Sequence, residues 1–201
     1  MPENFLLLLT RPDTLFAILL LYIIGSVPFA IVSSKLIGLP DPRDYGSKNP
    51  GATNVLRTGN KFAAFLTLLG DSLKGFIPII MLLNIFSFDF KISYFLSFFI
   101  LFGHIFPVFL KFKGGKGVAT SFGILFALDA RVGFCLLFIW LITLYIFKIS
   151  AISALTAFFL LPFFMAFFLN DSVITLFAVI NSLLIFLSHL KNIDEVKNLF
   201  K

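Results

Sequence analysis

Two short segments carry most of the chemistry this sequence can offer. One is Gly46-Ser47-Lys48-Asn49-Pro50-Gly51-Ala52-Thr53-Asn54, continued by Val55-Leu56-Arg57. The other is Phe112-Lys113-Gly114-Gly115-Lys116-Gly117, continued by Val118-Ala119-Thr120. Glycine lets backbone N–H groups converge, and lysine places positive charge beside them, a pairing suited to a bound phosphate. Arg57 adds a guanidinium able to grip a phosphate through two N–H groups at once. Ser47, Asn49, Thr53 and Asn54 add short polar side chains. The second segment is not a Walker A loop, because Lys116 precedes Gly117 rather than Ser or Thr and the upstream glycine spacing is absent. Plainer explanations stand beside these. Lys113–Gly117 also fits a flexible basic turn against anionic lipid heads. Pro50-Gly51 is a turn signal, after which Thr53 or Asn54 would cap a helix.

Further candidates lie at the edges of apolar runs. His104 and His189 are the only histidines. Each sits near the end of such a run, and histidine is the side chain most readily used as a base near neutral pH. Asp71 and Lys74 are three apart inside an apolar run, so on a helix they share a face and can pair. A structural ion pair is the better reading of Asp71, while Lys74 remains able to reach a phosphate. Ser150 and Ser153 flank the polar break at Lys148, and Asn192 follows His189. His189 to Asp194 also matches a His-four residues-Asp pattern of thioester-using acyltransferases. This chain has no length for the soluble domain that pattern belongs to. Cys135 is the single cysteine, which excludes an intrachain disulfide. No set of His, Cys and carboxylate side chains has metal-ligand spacing, so no metal is expected.

These residues must be positioned by a membrane. The 201 residues are 59% hydrophobic and 13% charged, with mean hydropathy +1.04. A soluble domain carries about 25% charged residues, and only a bilayer accommodates this much apolar surface. The expectation is a single polytopic, all-α integral membrane domain over residues 1–201. Seven spans are read: about Thr14–Lys35, Phe62–Phe88, Ile92–Leu110, Val118–Leu128, Val132–Phe147, Ala151–Leu169 and Val173–Leu190. Several fall short of the ~20 residues of a full crossing, so a five-span version merges the last four into two. Either way Lys35, Arg43, Lys48, Arg57, Lys61, Lys111, Lys113, Lys116, Lys148, Lys191, Lys197 and Lys201 share one side. Only Arg11, Lys91 and Arg131 fall on the other. The positive-inside rule then puts both glycine-rich segments and the C-terminus in the cytoplasm and the N-terminus outside. The N-terminus reads as a first span rather than a signal peptide, since it carries Glu3 and Asp13 and lacks a basic leader.

At four blocks the chain resembles the PlsY family, the bacterial acyl-phosphate:glycerol-3-phosphate acyltransferases. They are Gly25-Ser26-Val27-Pro28-Phe29, Gly46 through Arg57, Gly70-Asp71 with Lys74-Gly75, and His104 through Thr120. His189, Asn192 and Ile193 fit the final block, with Leu190 where a basic residue is expected. The resemblance implies transfer of a fatty acyl group from acyl phosphate to the 1-hydroxyl of glycerol 3-phosphate. The products would be 1-acyl-glycerol 3-phosphate (lysophosphatidic acid) and inorganic phosphate, as a first step of phospholipid biosynthesis. No cofactor, metal or nucleic acid is implied. The partners would be membrane lipid and, transiently, an enzyme supplying acyl phosphate. The location would be the bacterial inner membrane, with the active site on its cytoplasmic face. In that reading Lys113, Gly114, Gly115, Lys116 and Gly117 hold one phosphate and polarise the acyl phosphate. Ser47, Asn49, Thr53, Asn54 and Arg57 hold the other, while Lys74, Ser150, Ser153, His189 and Asn192 complete the pocket. Which loop takes which phosphate stays open. So does the base, which is His104, His189 or an oxygen of the donor itself. The rival class is a small membrane carrier for phosphate or an organophosphate, which calls for polar residues along the spans. Apart from Asp71 and Lys74 the spans offer little such path.

Overall fold

In a computed structural model that describes residues 12–190, the chain is all-helical. In order the helices are α1 (Pro12–Ser26), α2 (Phe29–Ile37), α3 (Ala52–Leu56), α4 (Lys61–Asn84) and α5 (Phe90–Ile105). A 3-10 turn at Val108–Leu110 follows, then α6 (Val118–Leu128), α7 (Ala130–Phe147), α8 (Ser150–Leu169) and α9 (Ser172–His189). Polar residues start the apolar helices by capping them. Asn60, Asp89, Asp129 and Asp171 each accept a backbone N–H from the first turn of α4, α5, α7 and α9. Lys148 and Asn170 end α7 and α8 in the left-handed conformation, with φ of 59° and 47°.

The last four stretches form the separate helices α6, α7, α8 and α9. Five helical segments are long and apolar enough to cross a membrane: 61–84, 90–110, 130–147, 150–169 and 172–189. The first expected span is bent, with α1 and α2 meeting at 42° around Val27-Pro28. Proline there lacks an N–H and disfavours helix in the residue before it. Helix α6 has 11 residues and spans about 16 Å at 1.5 Å per residue, half a bilayer. The outward surface is apolar. Phe134, Phe138, Leu141 and Tyr145 line one face of α7 at 64%, 65%, 50% and 76% exposure, a stripe only lipid can cover favourably.

Two helix pairs make direct backbone contact through glycine. A Cβ at Gly25 of α1 would strike the Ile100 carbonyl of α5, and one at Gly103 of α5 would strike the Tyr22 carbonyl of α1. Likewise Gly75 of α4 abuts the Thr120 carbonyl of α6, and Gly123 of α6 abuts the Ser72 carbonyl of α4. Small residues let membrane helices approach this closely, where dispersion replaces the missing hydrophobic drive. Leu96 and Ile100 of α5, Ile124 and Leu125 of α6, Leu136 of α7, Phe158 and Leu161 of α8 and Ile185 of α9 fill the common core. The segments around 38–60, 106–117 and 148–150 and the end of α9 lie together, joined by the Thr53–Ser150 and Ser188–Lys116 contacts and by Pro50 beside Gly114 and Gly115.

Candidate active site

The first polar segment is organised from within. Asn54 is buried at 2% exposure, and its Nδ2 donates to the Pro42 carbonyl at 2.6 Å and the Tyr45 carbonyl at 3.2 Å. Its Oδ1 accepts the Ser47 N–H at 3.0 Å. Both side-chain donors are thus spent on the loop, so Asn54 shapes the segment rather than offering donors to a ligand. It is not a helix cap either, since Gly51 occupies the N-cap of α3. A Cβ at Gly46 would strike Asn54 Oδ1 and come within 3.0 Å of Arg57 Cδ, so glycine is needed for Arg57 to fold across the loop. Arg57 is exposed and makes no ion pair among the described residues. Arg43, by contrast, donates through Nε and Nη2 to Asp41 at 3.0 and 2.7 Å, and that contact holds the Asp41 carboxyl below the usual carboxylate range. Of the two arginines, only Arg57 keeps its guanidinium unpaired. Thr53 Oγ1 and Ser150 Oγ share a hydrogen bond at 3.2 Å, which joins this segment to the start of α8. Ser47 and Asn49 are half-buried. Ser153 is buried with its hydroxyl donating to the Ile149 carbonyl at 3.0 Å, which leaves Ser150 as the accessible serine of the two.

The second segment differs from expectation in one respect. The Gly114 and Gly115 N–H groups do not converge on an open cavity. They donate to the Ile105 and His104 carbonyls at 3.1 and 3.0 Å, closing the C-terminus of α5. Tight packing explains the glycines, because a Cβ at Gly114 would strike the His104 carbonyl and one at Gly115 the His104 imidazole. The N–H groups left for an anion are those opening α6. Gly117, with φ of 81°, is its N-cap and no side chain caps the helix. A helix N-terminus of this kind favours negative charge. Lys116 is half-buried beside it and Lys113 is exposed. Ser188 of α9 shares its hydroxyl proton between the Lys116 carbonyl at 2.9 Å and the Ile185 carbonyl at 2.7 Å, which pins the loop to α9. Tyr22 and Ser26 of α1 hold the preceding turn, through the Phe106 carbonyl at 2.7 Å and the Val108 N–H at 3.4 Å. Of these supports, Ser26 lies in one of the four resembling blocks, while Tyr22 and Ser188 were not singled out from the sequence. Their signal was polar side chains four apart, Tyr22 and Ser26, on one face of an apolar run.

The two histidines separate clearly. His104 is 7% exposed, with Nδ1 sharing a hydrogen bond with Thr120 Oγ1 at 3.1 Å and lying 3.6 Å from Asp71 Oδ1. Its Nε2 edge packs beside Gly115, and the ring lines a small cleft described below. His189 is 3% exposed and its Nδ1 lies 2.8 Å from the Ile185 carbonyl. A carbonyl only accepts, so Nδ1 carries the proton and Nε2 is the basic nitrogen of the neutral ring. Asn192 lies outside the described residues.

Asp71 and Lys74 are paired as expected, with Nζ 2.8 Å from Oδ1 and both side chains under 5% exposed. The ammonium lies off the favoured hydrogen-bond direction, so this contact is mainly electrostatic. Lys74 directs a hydrogen bond of 2.7 Å to the Val27 carbonyl, one of those freed by the α1–α2 break. It thereby anchors the break.

Two cavities meet here. A polar cleft of about 10 Å³, room for one water-sized group, is lined by Val27, Pro50, Lys74, His104, Gly114 and Gly115 among others. An apolar groove of about 960 Å³ runs between α1 and α4, past Phe16, Leu20, Ile24, Ile77 and Met81 to Phe86–Asp89. Val27 and Lys74 line both. Among the described residues no group of three or more His, Cys, Asp or Glu side chains could hold a metal ion.

Comparison with known proteins bears on this arrangement. A family model described as glycerol-3-phosphate acyltransferase matches residues 15–199. A glycerol-3-phosphate acyltransferase of Bordetella avium is 46% identical over 201 residues, covering 94% of each chain. A crystal structure of PlsY (YgiH), an integral membrane glycerol 3-phosphate acyltransferase, in its glycerol 3-phosphate form, superimposes with a TM-score of 0.86. It is 33% identical and covers 92% of each chain. Its lysophosphatidic acid form gives 0.82 over the same coverage.

Proposed function

The chain belongs to the glycerol-3-phosphate acyltransferase family, and on that premise we propose that its acyl donor is an acyl phosphate. The reaction would join the acyl group to the 1-hydroxyl of glycerol 3-phosphate, giving 1-acyl-glycerol 3-phosphate and inorganic phosphate. The observation that carries this reading is the meeting of a polar cleft and a long apolar groove at Val27 and Lys74. A donor made of a fatty chain, a carbonyl and a phosphate needs those three environments in that order. An acyl phosphate fits with its chain in the groove between α1 and α4. Its phosphate then falls among Lys113, Lys116 and the N-terminus of α6. Arg57, Ser47, Asn49, Thr53 and Ser150 are left to hold glycerol 3-phosphate. Pro50 of segment 46–57 lines the cleft together with Gly114 and Gly115, which brings the two glycine-rich segments to one site. The basic skew of the loops supports reading this site as lying at the cytoplasmic face of a bacterial inner membrane. The acyl phosphate would come from a partner enzyme acting at that face.

With the acid anhydride as donor, phosphate is a good leaving group and a strong protein base is not required. A phosphate oxygen of the donor takes the hydroxyl proton, while the protein aligns the reactants and neutralises charge. His189 then orients substrate through Nε2. His189→Gln, which keeps a hydrogen-bonding end, should retain kcat within about tenfold. A loss of about 10²–10⁴-fold is the size expected when a general base is removed, and would give proton abstraction to His189. The direct test of the donor combines purified protein, palmitoyl phosphate and glycerol 3-phosphate, and follows phosphate and lysophosphatidic acid. Stoichiometric formation of both supports the reading. No transfer from palmitoyl phosphate, with transfer from a palmitoyl thioester instead, overturns it. Phosphate flux in liposomes without acyl transfer would favour a carrier.

A further inference from the structure

The Lys74 ammonium has no counterpart in the phosphate loops, and its position suits a different task. Resting on the donor reading above, we infer that Lys74 stabilises the carbonyl oxygen of the acyl donor as it becomes an oxyanion. Three observations carry this. First, Val27 and Lys74 border both the polar cleft and the apolar groove. The reacting carbonyl is the atom group that joins a fatty chain to a phosphate, so it must lie where those two spaces meet. Of the two residues, only Lys74 bears a charge. Second, an ammonium has three N–H donors. One is spent on the Val27 carbonyl at 2.7 Å and a second faces Asp71 Oδ1 at 2.8 Å. The third is left over, with the Phe29 ring centroid 5.8 Å from Nζ as the nearby wall. Third, the ammonium is held rigidly. Asp71 supplies its counter-charge within a side-chain exposure of 4%, and His104 Nδ1, bonded to Thr120 Oγ1, lies 3.6 Å from Asp71 Oδ1. A donor fixed in a dry site before the reaction is the arrangement that stabilises developing charge most effectively.

The step balances as follows. The 1-hydroxyl oxygen of glycerol 3-phosphate bonds to the acyl carbon, and the carbonyl π pair moves onto the carbonyl oxygen facing Lys74 Nζ. The hydroxyl proton passes to a phosphate oxygen of the donor. The oxyanion pair then re-forms C=O, the carbon–oxygen bond to phosphorus's oxygen breaks, and hydrogen phosphate leaves with that bonding pair. Lys74 gains and loses no proton.

The test separates carbonyl contact from phosphate contact. Lys74→Met should lower kcat by about 10²–10³-fold, the range found when one oxyanion donor is removed. Inhibition by hexadecyl phosphate, which has the chain and phosphate but no carbonyl, should change less than threefold. Because Lys74→Met strands a buried carboxylate, the paired variant D71N with K74M removes both charges, and the same two readouts apply. A wild-type measurement stands independently of variant folding. A β-ketophosphonate of palmitoyl chain length cannot transfer its acyl group, and its C=O stretch should shift to lower frequency on binding. The inference is overturned by kcat within tenfold of wild type in a folded variant. It is equally overturned by a hexadecyl phosphate inhibition constant that rises in step with the loss of kcat, or by an unshifted C=O stretch in wild type. Loss of all transfer from palmitoyl phosphate in the wild type would instead remove the donor reading itself.

Discussion

Gly115→Ala is expected to lower kcat/KM by about 10²-fold while leaving the helical bundle folded. The added methyl would strike His104 Nε2 and lie 2.9 and 3.1 Å from Cε1 and Cδ2 of the same ring. That ring cannot swing aside cheaply, because Thr120 and Asp71 hold its other edge. The loop must yield instead, and overpacking of this kind costs about 1–3 kcal/mol. Loop displacement carries Lys116 and the start of α6 with it, since Gly115 N–H is bonded to the His104 carbonyl and the next residues lead directly into the helix. A shift of about 1 Å in a positioning element is enough for a 10²-fold loss. Steady-state kinetics with far-ultraviolet circular dichroism in detergent would check it. Wild-type kcat/KM in a folded Gly115→Ala protein would show that the loop is not held by His104.

Lys116→Ala and Arg57→Ala should each cost about 2–4 kcal/mol of transition-state stabilisation, a loss of roughly 30- to 1,000-fold in kcat/KM. Each removes one charged contact to a phosphate. The two should differ in which substrate they affect. Arg57, on the segment assigned to glycerol 3-phosphate, should raise KM for that substrate. Lys116, beside the α6 N-terminus, should act on the acyl phosphate. Arg43→Ala serves as the contrast, because its guanidinium is already bound by Asp41. Equal kcat/KM for Lys116→Ala, Arg57→Ala and wild type would mean that the phosphates bind elsewhere.

The long helices were legible because apolar runs are a local signal, while their Asn and Asp caps were not read as such. The meeting of both glycine-rich segments was expected from the alternation of the spans. Donor allocation was not legible. Gly114 and Gly115 look in sequence like an open anion cradle, yet their N–H groups are taken by the C-terminus of α5, because Pro107 stops that helix and leaves its last carbonyls unsatisfied. Asn54 looked like a ligand or cap and is the keystone of its own loop, a role set by the distant Pro42 and Tyr45 carbonyls. The location of His104 at a helix end suggested access, and only three-dimensional packing buries it beside Gly115. The bend in the first span had a local cue in Val27-Pro28, but its partner, Lys74, lies 47 positions away.

The glycine contacts described above have a mechanical corollary. Helices α1 and α5 are welded backbone to backbone, and so are α4 and α6. The apolar groove runs along the seam between α1 and α4, one member of each weld. Prising that seam apart breaks the Lys74–Val27 bond but neither weld. An opening of that seam would face the bilayer, and the ties across it would be the Lys74–Val27 bond, the Phe29 ring packed on Gly70 and, further along α2, the buried Ser33–Thr67 bond of 2.6 Å.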